Sequence, residues 1–355
     1  YKVPQQASRL KAYAKNLSKD KEPDHFDKRA VKQLLDLALD GVWMEEEINY
    51  LISVGYTQSK YEYSQIEAQI ENFRKDSAPW FGWNKHYKES LAELKAEAAM
   101  WHLKSLMYGR NFIIDEAIPK DDSHAGYEFI ETGIRQKGGY KEGLLRKYQQ
   151  AEEAAKKRGT FDNIILIGTR TQTAPPYHTQ TGERNYTVKP KSRLVSMVRL
   201  MLILAEMRFS HEVQKKIGIS RWYAGGKSTD QQRNIINQMK RSGYSCWISI
   251  DYSKYDQSIS YWLIRDAFEV VKIGYSDDPY FDEQLFEIVV NDFIHKTIID
   301  GNQDRIPVKK GVPSGSMFTQ IIDSIVNKLM IMTFMKSQGI EKYEMFITGD
   351  DNLIY

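Results

Sequence analysis

The chain closes on FITGDDNLIY, residues 346–355, where two adjacent aspartates stand between apolar runs. Phe346 and Ile347 precede them, and Leu353, Ile354 and Tyr355 follow. That pattern predicts two short strands turning back on each other at 349–352. Apolar residues on both arms tie this turn to a core. Like charges side by side repel, and partial burial penalises each carboxylate further, so the pair calls for a cation to neutralise it.

A chain of 355 residues is too long for one small core, and two or three lobes are expected. Hydrophobic residues make up 41% and charged residues 27%, which suits a soluble globular protein. The longest apolar stretch, from Leu194 to Met207, is broken by Arg199 and Glu206 and is too short to span a bilayer. No signal peptide opens the sequence. A single cysteine, Cys246, excludes an internal disulfide framework and fits a reducing compartment. The charge is unevenly spread. Residues 156–241 hold 17 Lys/Arg against 5 Asp/Glu, although the whole chain is only +3. A basic region in an otherwise acidic protein suggests a polyanionic ligand, either nucleic acid or nucleotide phosphate.

Residues 1–158 have helical character, with helix-like apolar spacing at 28–39, 89–107 and 140–158. FDNIILI at 161–167 predicts a buried strand, followed by a long polar loop or ribbon containing Pro175, Pro176 and Gly182. In TVKPKSRLVSMV, Lys189, Lys191 and Arg193 recur with period two, which puts three cations on one face of an extended strand. GGKS at 225–228 is not a phosphate-binding loop, because Arg221 stands where that motif needs glycine. CWISIDYS at 246–253 predicts a strand ending at Asp251, with a helix from about 256 to 272 that stops at Gly274. Asp277 and Asp278 precede a helix start and carry no catalytic role. Residues 297–308 predict a hairpin around Asp300 and Gly301. A helix over 317–336 follows, with Thr319, Asp323 and Asn327 four apart in a polar stripe.

Three carboxylates therefore stand at predicted strand ends: Asp251, Asp350 and Asp351. If those strands are neighbours, the three converge on one spot. Oxygen-only ligands of this kind suit Mg²⁺ that also binds substrate phosphates. Two such ions activate an attacking hydroxyl and stabilise a leaving pyrophosphate.

SIDYSKYDQSI resembles motif A of viral RNA-dependent RNA polymerases, GVPSGSMFTQIIDSIVN motif B, FITGDDNLIY motif C, and TVKPKSRLV the basic motif F. They occur in the family's order, F, A, B, C. The wording of motif B is most similar to polymerases of partitiviruses and related double-stranded RNA viruses. The resemblance covers residues 185–355.

It implies an α+β right-hand polymerase, with fingers plus a palm whose antiparallel sheet is backed by helices and has the motif A and C strands adjacent. The thumb is expected to be missing, since family members continue past motif C. The implied domains are 1–158 as a helical N-terminal extension and part of the fingers, 159–243 as basic fingers with motif F, and 244–355 as an incomplete palm. Asp251, Asp350 and Asp351 would be catalytic and hold two Mg²⁺, with Mn²⁺ as an alternative ion. Lys191 and Arg193, then Lys189 and Arg170, would grip the NTP triphosphate, because phosphoryl transfer depends on positioning and charge stabilisation. Asp256 matches the position that senses the ribose 2′-hydroxyl. Ser314 and Gly315 match the loop beside the template, and Thr319, Asp323 and Asn327 the stripe supporting ribose recognition. Many relatives have asparagine where Asp323 stands, so Asp323 is alternatively an orienting partner of Thr319 or Asn327.

The expected partners are template and nascent RNA, NTPs and viral capsid protein, with no membrane, in the host cytoplasm inside the virion. The rivals are a reverse transcriptase, against which Asp256 speaks, and a non-catalytic RNA-binding protein on a polymerase-like scaffold.

Overall fold

The structure is a computed structural model. It describes residues 2–20, 57–58, 61–80, 82, 84–110, 112, 114, 123–171, 173–174, 177–178, 184–185, 192–243 and 246–355. In chain order the main elements are helices α1 (Lys2–Leu17), α2 (Tyr63–Arg74), α3 (Lys85–Ala99) and α4 (Leu144–Arg158), then strands β1 (Ile164–Thr171) and β2 (Ser192–Met197). Next come α5 (Leu200–Ile219), α6 (Thr229–Arg241), α7 (Tyr261–Ile273) and α8 (Glu283–Ile294). Strands β3 (Lys296–Ile299) and β4 (Arg305–Val308), helix α9 (Thr319–Ser337), and strands β5 (Met345–Thr348) and β6 (Asp351–Ile354) complete the series. The fold is thus mixed helix and strand. One four-stranded sheet has the order β2-β1-β3-β4, and β5 and β6 form a hairpin of their own.

The chain divides into two compact units built from non-consecutive stretches. The first comprises Tyr1–Glu71, Ile167–Val195 and Ile299–Arg305. Its tyrosines tie distant segments together. The Tyr13 hydroxyl accepts the Ile167 amide at 2.6 Å, and the Tyr63 hydroxyl accepts that of Gly301 at 2.7 Å. Edge strand β2 leaves backbone groups that would recruit another strand. Gln65 and Gln69, one turn apart on α2, take the Ser192 and Leu194 amides at 2.9 and 3.0 Å.

The second unit comprises Asn72–Leu166, Ser196–Ile298 and Ile306–Tyr355 and holds the large core. Phe268 is its hub, meeting Phe286, Phe293 and Phe318 edge-on at ring centroid distances of 6.0, 5.0 and 5.0 Å. Edge-to-face packing suits the quadrupoles of the rings. Helix starts are set by side chains that accept free amides. Asn84 takes His86 and Tyr87 for α3, Ser228 forms a capping box with Gln231 for α6, and Asp282 takes Leu285 for α8.

Several expectations shift. The helix predicted from about 256 is a single turn, Tyr255–Ser258, then a break and α7, because Ser260 caps in an extended conformation. The strand predicted at 246–253 is reduced to one bridge, Ile248 to Ile354. Asp300 and Gly301 do begin the β3–β4 turn, but Gln303, at φ 72°, is the left-handed residue. The Asp300 carboxylate shapes that turn by accepting the Asn302 and Asp304 amides at 2.9 and 2.8 Å. The helix predicted at 28–39 lies outside the described residues.

Candidate active site

β5 and β6 pair with Thr348 opposite Asp351 and Met345 opposite Ile354. Only Gly349 and Asp350 are left to form the turn. Gly349 has φ 61° and Asp350 is not left-handed, the pattern of a type II′ hairpin turn, which takes glycine first. The four-residue turn expected at 349–352 is therefore tighter. Asp350 stands alone at the tip, and Asp351 is the first residue of β6.

Helix α9 grips this tip. Ser324 Oγ accepts the Gly349 amide at 2.8 Å, and Asn327 Nδ2 donates to the carbonyls of Gly349 and Asp350 at 2.9 and 3.2 Å. Gln320 Nε2 donates to Thr348 Oγ1 at 2.7 Å. Asn327 is itself oriented by the Tyr252 hydroxyl, 3.1 Å from its Oδ1. The stripe of α9 that meets the hairpin is Gln320, Ser324 and Asn327. Of the expected stripe, only Asn327 touches it.

The segment before Asp251 runs antiparallel to β6. Ile248 and Ile354 exchange both backbone hydrogen bonds, at 2.9 and 2.8 Å. Two residues on, the side chain of Asn352 takes over. Its Oδ1 accepts the Ile250 amide and its Nδ2 donates to the Ile250 carbonyl, both at 2.9 Å. Asp251 thus follows directly on a segment paired with β6, the strand that begins one residue after Asp350.

Asp256 follows within the turn Tyr255–Ser258, and its carbonyl accepts the Val312 amide at 2.7 Å. Asp323 is buried with its Oδ1 unpartnered. Burial first, then the charges of Asp256 and Asp350, push its pKa well above the ordinary carboxylate value. The Tyr255 hydroxyl donates to the Asp323 carbonyl at 2.9 Å.

The loop before α9 is held from below. Thr319 Oγ1 lies 2.7 Å from the Pro313 carbonyl and 2.8 Å from that of Ser316, so its hydroxyl braces this loop. Ser314 Oγ accepts the Ser196 amide at 3.0 Å. Gly315 presses against the same backbone, where an added Cβ would fall 1.9 Å from the Ser196 carbonyl oxygen. Glu206, fully buried on α5, accepts the Met317 amide at 2.8 Å. The Lys296 ammonium donates to the carbonyls of Phe293, Ile294, Lys310 and Gly311 at 2.7–3.3 Å, joining the end of α8 to the start of the loop.

A model of the viral RNA-dependent RNA polymerase family matches residues 50–355. The chain belongs to this family. The chain is 22% identical over 326 residues to the genome polyprotein of Human parechovirus 2 (strain Williamson), covering 88% of this chain and 14% of that protein. It is 34% identical over 117 residues to the RNA-directed RNA polymerase of Cryptosporidium parvum virus 1 (strain KSU-1), 30% of this chain and 20% of that one. A third relative, the RNA1 polyprotein of Blackcurrant reversion association virus, is 24% identical over 183 residues, 48% of this chain and 9% of the polyprotein. The chain thus spans a fifth or less of the length of these curated relatives.

In this chain, Asp251, Asp350 and Asp351 are exposed, and their carboxylates have no hydrogen-bond or ionic partner among the described residues. Oxygen donors free of other partners have the chemistry that Mg²⁺ prefers. Their convergence is incomplete, however. Among the described residues, no three His, Cys, Asp or Glu side chains are close enough together to hold a metal ion. Like charges repel, and each is solvated separately in water.

Arg193 is exposed on β2 and belongs to the first unit. Lys189, Lys191 and the Arg170 side chain lie outside what is described. Sequence reading missed Asn352, Ser324, Gln320, Tyr252, Glu206 and Lys296. Asn352 carried a signal: it is a polar residue at a core-facing position of the strand, two before buried Ile354. Glu206 carried one too, as an acid inside an apolar helix.

Proposed function

We propose that the chain supplies fingers and palm segments of an RNA-directed RNA polymerase that extends RNA from NTPs on an RNA template. The replicated genome would be that of a double-stranded RNA virus, copied within the particle in the host cytoplasm. The observation that carries this reading is the pairing of the Asp251 segment with the hairpin of Asp350, within the reach of the family match. In the reaction, the primer 3′-oxygen forms a bond to the α-phosphorus of the NTP. The bond to the β,γ-diphosphate breaks, and pyrophosphate leaves.

Asp251 and Asp350 would hold two divalent ions, with Asp351 as an outer ligand. Mg²⁺, when bound, supplies Lewis-acid activation of the hydroxyl and charge neutralisation of the leaving group. The chain's own residues hold the geometry. Ser324 and Asn327 fix the backbone that carries Asp350, and Asn352 fixes the backbone before Asp251. Asp256 senses the ribose 2′-hydroxyl. Asp323 would support the choice of ribose over deoxyribose, either directly or by orienting Thr319 or Asn327. Arg193, with Lys189, Lys191 and Arg170, receives the triphosphate, where guanidinium gives a bidentate grip and ammonium a point charge. Ser314 and Gly315 lie beside the template.

Asp350→Ala in the full-length context tests the reading. Nucleotide incorporation on a primed RNA template should fall roughly 100- to 1,000-fold, with thermal unfolding unchanged. Incorporation at the parental rate would refute it.

A further inference from the structure

Resting on that metal-binding reading, we infer that Asn352 is a positioning residue that sets the spacing between Asp251 and Asp350 by standing in for backbone between their two strands. Ile248 and Ile354 form a regular antiparallel pair with both hydrogen bonds made. In that register, residues 250 and 352 come next as a hydrogen-bonded pair. Main chain does not meet main chain there. The Asn352 amide stands between, with its oxygen on the Ile250 amide and its nitrogen on the Ile250 carbonyl, each at 2.9 Å. The Asn352 carbonyl is displaced to the Ser249 hydroxyl at 3.0 Å.

A side-chain amide inserted into a ladder widens the strand separation by its own length, and it does so on the residue next to Asp251. The same Nδ2 also lies 3.2 Å from the Asp350 carbonyl. Asn352 thus ties together the backbone next to both carboxylates. It does so from a 7% exposed position, where an unpaired amide would be costly. Valine cannot reach Ile250 and favours the regular ladder, which would close the gap. Asparagine alone among similar-sized residues offers both a donor and an acceptor in this plane. Partners that orient metal ligands typically change metal affinity by 10–100-fold when removed.

The test titrates Mn²⁺ into the full-length protein and follows free ion by electron paramagnetic resonance. Asn352→Val should raise the Mn²⁺ dissociation constant roughly tenfold or more. Asn352→Thr, whose hydroxyl cannot serve both Ile250 groups, should do the same and stands in if the valine variant does not fold. Leu353→Ala weakens the packing of this strand without touching the amide pair. It should lower the melting temperature yet keep the Mn²⁺ constant within about twofold of the parent. A parental constant in the folded Asn352 variants overturns the inference, as does an equal loss in Leu353→Ala. Undiminished Mn²⁺ binding by Asp350→Ala would instead show that the metal-binding reading itself is wrong.

Discussion

Glu206 lies under the loop that precedes α9, and its charge state is set by its surroundings. Burial, with a smaller contribution from Asp292, raises its pKa, while the Met317 amide, Ser316 and Lys137 lower it; the result is about 7. The folded protein therefore keeps a proton on Glu206 that the unfolded chain releases near the ordinary carboxylate value. Stability from this group is complete below that value and falls as pH rises through 7, by on the order of 3 kcal/mol in total. Glu206→Gln removes the titration and keeps an acceptor for Met317. Relative to the parent, its melting temperature should climb between pH 5 and pH 8, and a pH-independent difference would contradict the assignment. At this scale the sequence revealed the exposed acids, because Asp350 and Asp351 break an apolar run. It flagged Asn352 only as a polar residue at an inward position and hid its role, because such a residue looks the same whether it bonds to a neighbour or ends a strand.

Helix α9 and its leading loop act as one element, clamped at one end by Thr319 and at the other by the hairpin contacts of Ser324 and Asn327. Gly315 is where the loop passes closest to the β2 end. Gly315→Ala should force the loop off the Ser196 carbonyl and cost roughly 1–3 kcal/mol as an overpacking change. It should also raise the KM for template more than it slows turnover at saturation, measured by steady-state extension. Equal kinetics and stability would mean the contact relaxes freely. That α9 is a helix with a polar stripe was legible from residue spacing. Which stripe faces the hairpin was not: Thr319, Asp323 and Asn327 repeat every four residues, but Gln320 and Ser324, one position round from the first two, join Asn327 in meeting the hairpin, and the helix's rotation is decided by packing. The motif A strand failed as a ladder for a related reason, since its pairing depends on the side chain of Asn352, 102 residues further along the chain from Ile250.

The whole molecule carries its excess of positive over negative charge in one sequence block, and that asymmetry predicts a measurable field. RNA affinity of the full-length protein should fall steeply with salt, with a log–log slope of about −0.7 for each phosphate contacted, and Asp350→Ala should leave the slope unaltered. A flat response would remove the basic block from RNA binding. Local elements were largely readable: β1, α4 and both hairpins fall close to where periodicity and turn residues put them. The two units were not readable, because they are stitched from distant stretches by contacts such as Tyr13 to Ile167 and Tyr63 to Gly301, which leave no local pattern.

The clamped hairpin tip has a consequence for how its acid moves. With the Gly349 amide and both tip carbonyls already engaged, Asp350 has a fixed pivot, and its carboxylate travels by torsion about its own side-chain bonds. Exposed side chains change rotamer in picoseconds to nanoseconds. On the proposed reading, gathering the ligands around an arriving ion would then be a swing of short arms from a rigid frame.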